Sequence, residues 1–116
     1  MANNLPNAAL ANIASERDLN NISQCIGSNW EMLGPFLIER NSKAIVDQIK
    51  EDHRTCLQRV YNLLMIWRSQ TDNQSLARLF HLMYQAGTSV TVDWYEIAHK
   101  LNIDIQHIRA CSQLNF

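Results

Sequence analysis

The sequence predicts an all-α protein, a compact bundle of six short helices in one domain. The chain has 116 residues, of which 47% are hydrophobic, and this is enough apolar material for one core. The low content of glycine and proline, 3 and 2 residues, favours helices over sheet. Apolar residues also recur at helical spacing between residues that typically begin or end helices. No predicted helix is long enough to be stable alone in water, so packing must hold the bundle together.

The chain begins with an uncharged segment rich in Asn and Ala. We predict that residues 1–14 form a flexible or partly helical lead-in. Ser15 and Asp18 have the spacing of a capping box, which opens the first predicted helix. Gly27 ends that helix.

The second predicted helix is interrupted. Asn29 is expected to cap it, and three apolar residues share one of its faces: Trp30, Leu33 and Leu37. Proline inside a helix removes a hydrogen bond unless it lies in the first turn. Pro35 therefore predicts a helix that is either short or kinked.

The third and fourth predicted helices are separated by charged residues. Ser42 is expected to cap the third helix, which turns Ile45 and Ile49 inward. Residues 50–54 are expected to form a solvated turn. The fourth helix carries the clearest apolar stripe: Leu57, Val60, Tyr61, Leu64 and Trp67. Leu63, Met65 and Ile66 widen this apolar surface.

The C-terminal part predicts two further helices and a tail. Thr71 and Gln74 have capping-box spacing and are expected to open the fifth helix, which Gly87 ends. Residues 88–92 are predicted to be a loop, followed by a sixth helix over residues 92–101. The tail, residues 102–116, is weakly amphipathic and either docks, continues the last helix or frays.

Composition argues against several function classes. The net charge of −1 gives no global positive field, which disfavours nucleic acid as the main partner. No apolar stretch approaches the roughly 20 residues needed to span a bilayer, and the N-terminus lacks the pattern of a signal peptide. We therefore expect a cytoplasmic protein. A helical nucleic-acid-binding module stays an alternative.

The sequence offers little for catalysis or metal binding. Cys25, Cys56 and Cys111 are widely spaced, as expected for reduced thiols. His53 and Cys56 have the spacing to share a metal on a helix, but a zinc site needs three or four ligands. Phosphate-loop, zinc-protease and serine-hydrolase motifs are absent. We expect no cofactor and no enzyme activity. A small metal-binding or enzymatic bundle remains the other alternative.

The residues around the two tryptophan-containing helices resemble a known family. Residues 26–37, IGSNWEMLGPFL, are similar to the second helix of death domains. Residues 59–68, RVYNLLMIWR, are similar to the fourth helix, and residues 74–83 to the fifth. The resemblance covers residues 18–101 and identifies residues 15–101 as a death domain. Among death domains, the spacing is most similar to that of the Fas-associated death-domain adaptors. The best point of similarity is the end of the fourth helix, with Leu64, Ile66 and Trp67.

The resemblance implies a fold and a function. The fold is a six-helix antiparallel Greek-key bundle. The function is homotypic binding to other death-domain proteins, such as a receptor, an adaptor or a kinase, in an apoptotic or innate-immune signalling complex. The domain would be part of an adaptor, in a homo-oligomeric or hetero-oligomeric assembly.

Two groups of surface residues are candidates for partner binding. Charges of both signs surround the predicted third helix, either as a solubilising coat or as an interface that selects a partner by charge. The first candidate group comprises Arg40, Lys43, Asp47, Glu51, Asp52 and Arg54. The second comprises Arg59, Met65, Ile66 and Arg68.

Overall fold

A computed structural model describes residues 8–114 and shows an all-α bundle, which confirms the predicted fold class. Residues 1–7, and with them half of the predicted lead-in, lie outside the described part, as do residues 115–116 of the tail. The α-helices of the described part are α1 Glu16–Ser23, α2 Gly34–Leu37, α3 Ser42–Asp52, α4 Cys56–Gln70, α5 Leu76–Gln85, α6 Trp94–Leu101 and α7 Ile105–Ala110. Short 3-10 helices lie at Ala8–Ala11, Trp30–Leu33, Gly87–Ser89 and Cys111–Gln113.

The core lies between α1, α2, α4, α5 and α6. Four large side chains lie at its centre and are all buried: Trp30, Leu64, Trp67 and Phe80. Burying one large apolar side chain contributes roughly 1.5–3 kcal/mol, so these four are a major part of the stabilisation. Trp94 closes one side of the core, stacked on Tyr84 at 4.1 Å between ring centroids.

Two capping boxes set the beginnings of α1 and α4. Ser15 Oγ accepts from the backbone N–H of Asp18 at 3.0 Å, and Asp18 Oδ2 accepts from the backbone N–H of Ser15 at 3.1 Å, as predicted. Thr55 and Gln58 form a second box at the start of α4. The T-x-x-Q spacing of this box is visible in the sequence, but no cap was predicted at Thr55.

Three predicted caps are wrong, because their side chains have other partners or positions. Asn29 Nδ2 donates to the Ser89 carbonyl at 3.1 Å, and Asn29 Oδ1 accepts from the Thr91 N–H at 2.9 Å. Asn29 stands at the N-cap position of the 3-10 helix Trp30–Leu33, but its side chain makes no capping hydrogen bond there and joins two loops. Ser42 is the first residue of α3 itself, preceded by Asn41 in the left-handed conformation.

The third wrong cap concerns α5. This helix begins at Leu76 and is capped by Ser75, whose Oγ accepts from the Arg78 N–H at 3.1 Å. Thr71 instead lies at the C-terminal end of α4. A capping motif four residues upstream resembled the true one because both have a hydroxyl residue before an apolar run.

Two predicted details of α3 and α4 also differ. Residues 50–52 continue α3, so the charged turn is reduced to the connection at His53 and Arg54. Leu57 is 42% exposed and does not belong to the buried stripe. It lies in the first turn of α4, beyond the edge of the core.

Pro35 is accommodated without a kink. A 3-10 helix ends at Leu33, and α2 begins at Gly34, so Pro35 occupies the first turn, where its missing N–H leaves no intrahelical bond unmade. A Cβ added at Gly34 would lie 3.0 Å from Val46 Cγ2, so the glycine permits the close approach of α2 to α3.

Segments at both ends of the described chain pack against α5. Leu10 and Ala14 are buried, and the Ala14 N–H donates to the Gln74 carbonyl at 2.9 Å. Ile108 and Cys111 are buried on the other flank. The Cys111 carbonyl lies 3.0 Å from His81 Nδ1, which must donate to it.

Candidate interaction surface

The first predicted group of surface residues lies together on and around α3. Lys43, Asp47 and Glu51 are exposed and fall within about 80° of one another around the helix axis. The buried residues Val46 and Ile49 occupy the opposite side. This periodicity arises because only one side of α3 packs against the core.

Arg40, Asp52 and Arg54 complete this exposed region. Arg40 lies in the turn before α3, Asp52 ends the helix, and Arg54 follows it. We call the six residues together the α3 face: Arg40, Lys43, Asp47, Glu51, Asp52 and Arg54. All six residues are exposed, on α3 or at its two ends.

The polar contacts within the α3 face are local and exposed. Lys43 Nζ and Asp47 Oδ2 are 3.2 Å apart, with 90% and 56% of the side chains exposed. Gln48 Nε2 donates to Asp52 Oδ1 at 3.0 Å. Exposed pairs of this kind contribute little stability, because water and salt screen them. These charged side chains can therefore leave their intramolecular partners for groups on another protein at a small cost in free energy.

The second predicted group is not brought onto one surface. Arg59 and Arg68 lie nine residues apart on α4, so they point about 180° apart around its axis. Met65 and Ile66 are half-buried and pack against the core. Each arginine also has an intramolecular role, which the sequence pattern did not reveal.

Arg59 completes the end of α3. Its Nε donates to the His53 carbonyl at 2.7 Å and its Nη2 to the Lys50 carbonyl at 3.0 Å. The last carbonyls of a helix have no intrahelical donor, so the guanidinium supplies what the helix cannot. This contact fixes the end of α3, and with it the α3 face, relative to α4.

Arg68 holds the N-terminal segment. Its Nη1 donates to the Ala14 carbonyl at 3.1 Å, and its Nη2 lies 3.8 Å from Glu16 Oε2. The side chain is only 24% exposed. A partner could reach Arg68 only by competing with these contacts.

A cleft at one end of the bundle was not predicted. It has a volume of about 720 Å³ and lies between the α2–α3 turn and the α4–α5 loop. Its apolar lining is Phe36, Leu37, Ile45, Trp67 and Leu82. Trp67 Nε1 is buried and has no hydrogen-bond acceptor within residues 8–114. Sequence periodicity could not reveal this cleft because it is formed by segments distant in the chain.

One aromatic side chain of α6 is exposed. The sequence left open whether Trp94 or Tyr95 turns inward; Trp94 does, and Tyr95 is 65% exposed. Arg109 Nη2 donates to the Tyr95 hydroxyl at 2.7 Å, and the guanidinium lies 5.3 Å from the ring centroid. The two side chains therefore form one ordered pair on the surface, the Tyr95–Arg109 pair.

Two of the three cysteines, Cys25 and Cys111, are buried. Burial raises the pKa of the Cys111 thiol to about 11 and also raises that of Cys25. A protonated, buried thiol is a poor nucleophile. Across residues 8–114, His, Cys, Asp and Glu side chains nowhere gather in a group of three that could hold a metal ion, so His53 and Cys56 have no further ligand. None of the helices described is both long and apolar enough to cross a membrane.

Comparison with known proteins identifies the family. No curated protein and no solved structure matches the chain significantly. A family model, the death domain, matches residues 16–93, which is more than half of the sequence. This range contains α1 to α5 and ends at the cap of α6. Members of the family are protein–protein interaction modules that bind other death-domain proteins. The match and the all-α bundle agree, and the chain belongs to the death domain family.

Proposed function

We propose that this death domain binds a second death domain through the α3 face and serves as the interaction module of an adaptor. The observation that carries the proposal is the exposure of six charged residues of both signs on one rigid helix and its two ends. Its setting would be a cytoplasmic complex in apoptotic or innate-immune signalling.

Charge complementarity supports the choice of this surface. The α3 face has three basic and three acidic residues, so it has almost no net charge but a distinct pattern. Such a pattern discriminates between partners, because a wrong partner places like charges together. Individual contacts of this kind are weak, so the affinity of an assembly would come from several contacts acting together.

The structural anchoring of α3 supports the same choice. Arg59 holds the C-terminal end of the helix, and Gly34 allows α2 to pack closely beside Val46. A surface on a well-held helix loses little conformational entropy when it binds. The adaptor role rests on the similarity of the fourth helix, Leu64, Ile66 and Trp67 included, to that of the Fas-associated adaptors.

The test is affinity capture from cytosol with the 116-residue chain as bait, read by mass spectrometry. The variant is the double charge reversal Asp47→Lys, Arg54→Glu, which leaves the net charge unchanged. We expect the wild type to enrich proteins that contain death domains and the variant to lose them.

The control is Arg17→Glu, a single charge reversal on the exposed surface of α1. Circular dichroism must show that all baits are folded. Equal capture of death-domain proteins by the wild type and the double variant would exclude the α3 face. Enrichment of nucleic-acid-associated proteins by the wild type, with no death-domain protein, would exclude the function itself.

A further inference from the structure

We propose that residues 103–114 form a C-terminal latch, which opens and closes on the side of α5 while the bundle of α1 to α6 stays folded. The latch contains α7 and the 3-10 helix Cys111–Gln113. It lies outside residues 16–93, which the family model matches, and it follows the sixth helix of the bundle. An element added after the last core helix can detach without breaking a connection between core helices.

The closed latch is held by apolar contacts and by two polar anchors. Three of its side chains are buried: Ile103, Ile108 and Cys111. The Tyr95–Arg109 pair fastens the latch to α6, and the Cys111 carbonyl accepts from His81 Nδ1 on α5. Tyr95 and Arg109 are both exposed, so water competes for the first of these anchors.

Two buried polar atoms at this contact have no hydrogen-bond partner. Within residues 8–114 three buried side-chain atoms lack one, and two of them are the Tyr84 hydroxyl and Nδ1 of His107. His107 belongs to α7. Burial raises the pKa of the Tyr84 hydroxyl, Arg109 lowers it and Cys111 raises it, so this hydroxyl of α5 lies close to the latch. A buried polar group without a partner has lost its hydrogen bonds to water, so closing the latch costs free energy at both positions.

The two unpaired atoms offset part of the gain from apolar burial. Opening of the latch therefore needs less free energy than unfolding of the bundle, as is general for local opening of a terminal element. In the open state water reaches the Tyr84 hydroxyl and the His107 ring. The Cys111 thiol becomes accessible, and Arg109 no longer holds Tyr95. The latch thus controls the exposure of one thiol and the position of one aromatic side chain of α6.

The three cysteines provide the test because they lie in three environments. Cys56 is exposed, Cys25 is buried just after α1, and Cys111 is buried in the latch. The 116-residue chain is treated with iodoacetamide at several urea concentrations below the unfolding transition, and each cysteine is followed by mass spectrometry. We expect Cys111 to react at least about tenfold faster than global unfolding permits, with a weaker dependence on urea. Cys56 should react first and Cys25 last.

Two variants change the stability of the closed latch in opposite directions. Tyr84→Phe keeps the ring that stacks on Trp94 and removes the unpaired hydroxyl, so the buried thiol should react about tenfold more slowly. Arg109→Ala removes the anchor to Tyr95 and should accelerate the reaction severalfold. Gln106→Ala is the matched control on the exposed side of α7 and should leave the rate unchanged.

The labelled chain shows whether the bundle survives opening. The Cys111 side chain is completely buried in the closed state, so an adduct on its sulfur cannot return to that site and keeps the latch open. We expect the chain labelled at Cys56 and Cys111 to retain most of its helical circular dichroism and a cooperative urea transition. A chain labelled at Cys56 alone is the control.

Three results would overturn the proposal. The first is labelling of Cys111 at the rate and with the urea dependence of global unfolding. The second is loss of the cooperative transition once Cys111 is labelled, and the third is equal labelling rates in the wild type, Tyr84→Phe and Arg109→Ala. Each would make residues 103–114 an inseparable part of the bundle. None of them involves the α3 face, so the proposed function is tested independently by affinity capture.

Discussion

The Nε atom of Arg59 donates a 2.7 Å hydrogen bond to the carbonyl oxygen of His53, at the end of the neighbouring helix. A second bond, from Nη2 to the Lys50 carbonyl, measures 3.0 Å. A charged side chain on α4 thus completes the C-terminal end of α3. Arg59 was a candidate for partner binding, but these contacts give it a structural role that positions the α3 face.

Replacing Arg59 with alanine should therefore lower stability. Two carbonyls lose a charged donor, and hydrogen bonds to charged groups contribute about 1.5–3 kcal/mol. We expect Arg59→Ala to reduce the free energy of unfolding by about 2 kcal/mol, measured by urea denaturation. Arg54→Ala is the control and should change it by less than about 0.5 kcal/mol, since its side chain is exposed. Equal effects of the two substitutions would show that the carbonyl contacts do not matter.

The capping box of α4 leads to a second prediction. Thr55 Oγ1 accepts from the Gln58 N–H at 3.1 Å, and the fourth helix supplies much of the core. Thr55→Ala should cost about 1 kcal/mol, whereas Thr55→Ser keeps the acceptor and should cost much less. Thermal unfolding followed by circular dichroism distinguishes the two. A Thr55→Ser variant as unstable as Thr55→Ala would mean that the methyl group, and not the cap, is responsible.

The close approach of Gly34 to Val46 leads to a third prediction. An added Cβ would lie 3.0 Å from Val46 Cγ2, and the side chain of valine adjusts little because it is β-branched. Gly34→Ala should destabilise the domain by about 1 kcal/mol, near the lower end of the cost of overpacking. In a Val46→Ala background the space is open, so the same change should be neutral or stabilising. A double-mutant cycle in urea measures this coupling, and additive effects would contradict it.

The buried thiol of Cys111 leads to a prediction about pH. Its pKa is raised by burial from an ordinary value near 9.0 to about 11. Below pH 9 the thiol is protonated in both the folded and the unfolded chain, so its contribution to stability is fully present. Between pH 9 and 11 only the unfolded chain releases the proton, so stability falls as pH rises.

The Cys111→Ala variant isolates this effect from other groups that titrate at high pH. We expect the wild type to lose more stability than the variant between pH 9 and 11, measured as the difference in urea midpoint. The variant will itself be less stable at neutral pH, since it leaves space in the core. Parallel losses for both proteins above pH 9 would show that the Cys111 thiol is not involved.

The existence and type of the helices could be predicted because they depend on short-range patterns. Ser15 and Asp18 formed the predicted capping box, and Pro35 gave a short second helix, since both effects act within one turn. The first residue of a helix is harder to predict where several hydroxyl residues lie close together and each could cap it. Thr71 and Ser75 each precede an apolar run, and only packing decides that Ser75 caps α5.

For the candidate surfaces too, local sequence patterns predict one part and the tertiary structure decides the other. The side of α3 that carries Lys43, Asp47 and Glu51 could be predicted, because it lies opposite Val46 and Ile49 on one helix. The separation of Arg59 from Arg68, and the partners of each, depends on where His53 and Ala14 lie in space. A long side chain reaches carbonyls that no local pattern identifies.

Sequence alone thus determined an all-α bundle, the burial of Trp30 and Trp67 and one charged helix surface, because periodicity and capping are local and every helix must bury its apolar side. The tertiary structure decided everything that joins distant segments: the cleft between the α2–α3 turn and the α4–α5 loop, the inward position of Trp94 and the pairing of Tyr95 with Arg109. These features depend on the relative placement of helices. That placement results from the packing of the whole core, and no single segment encodes it.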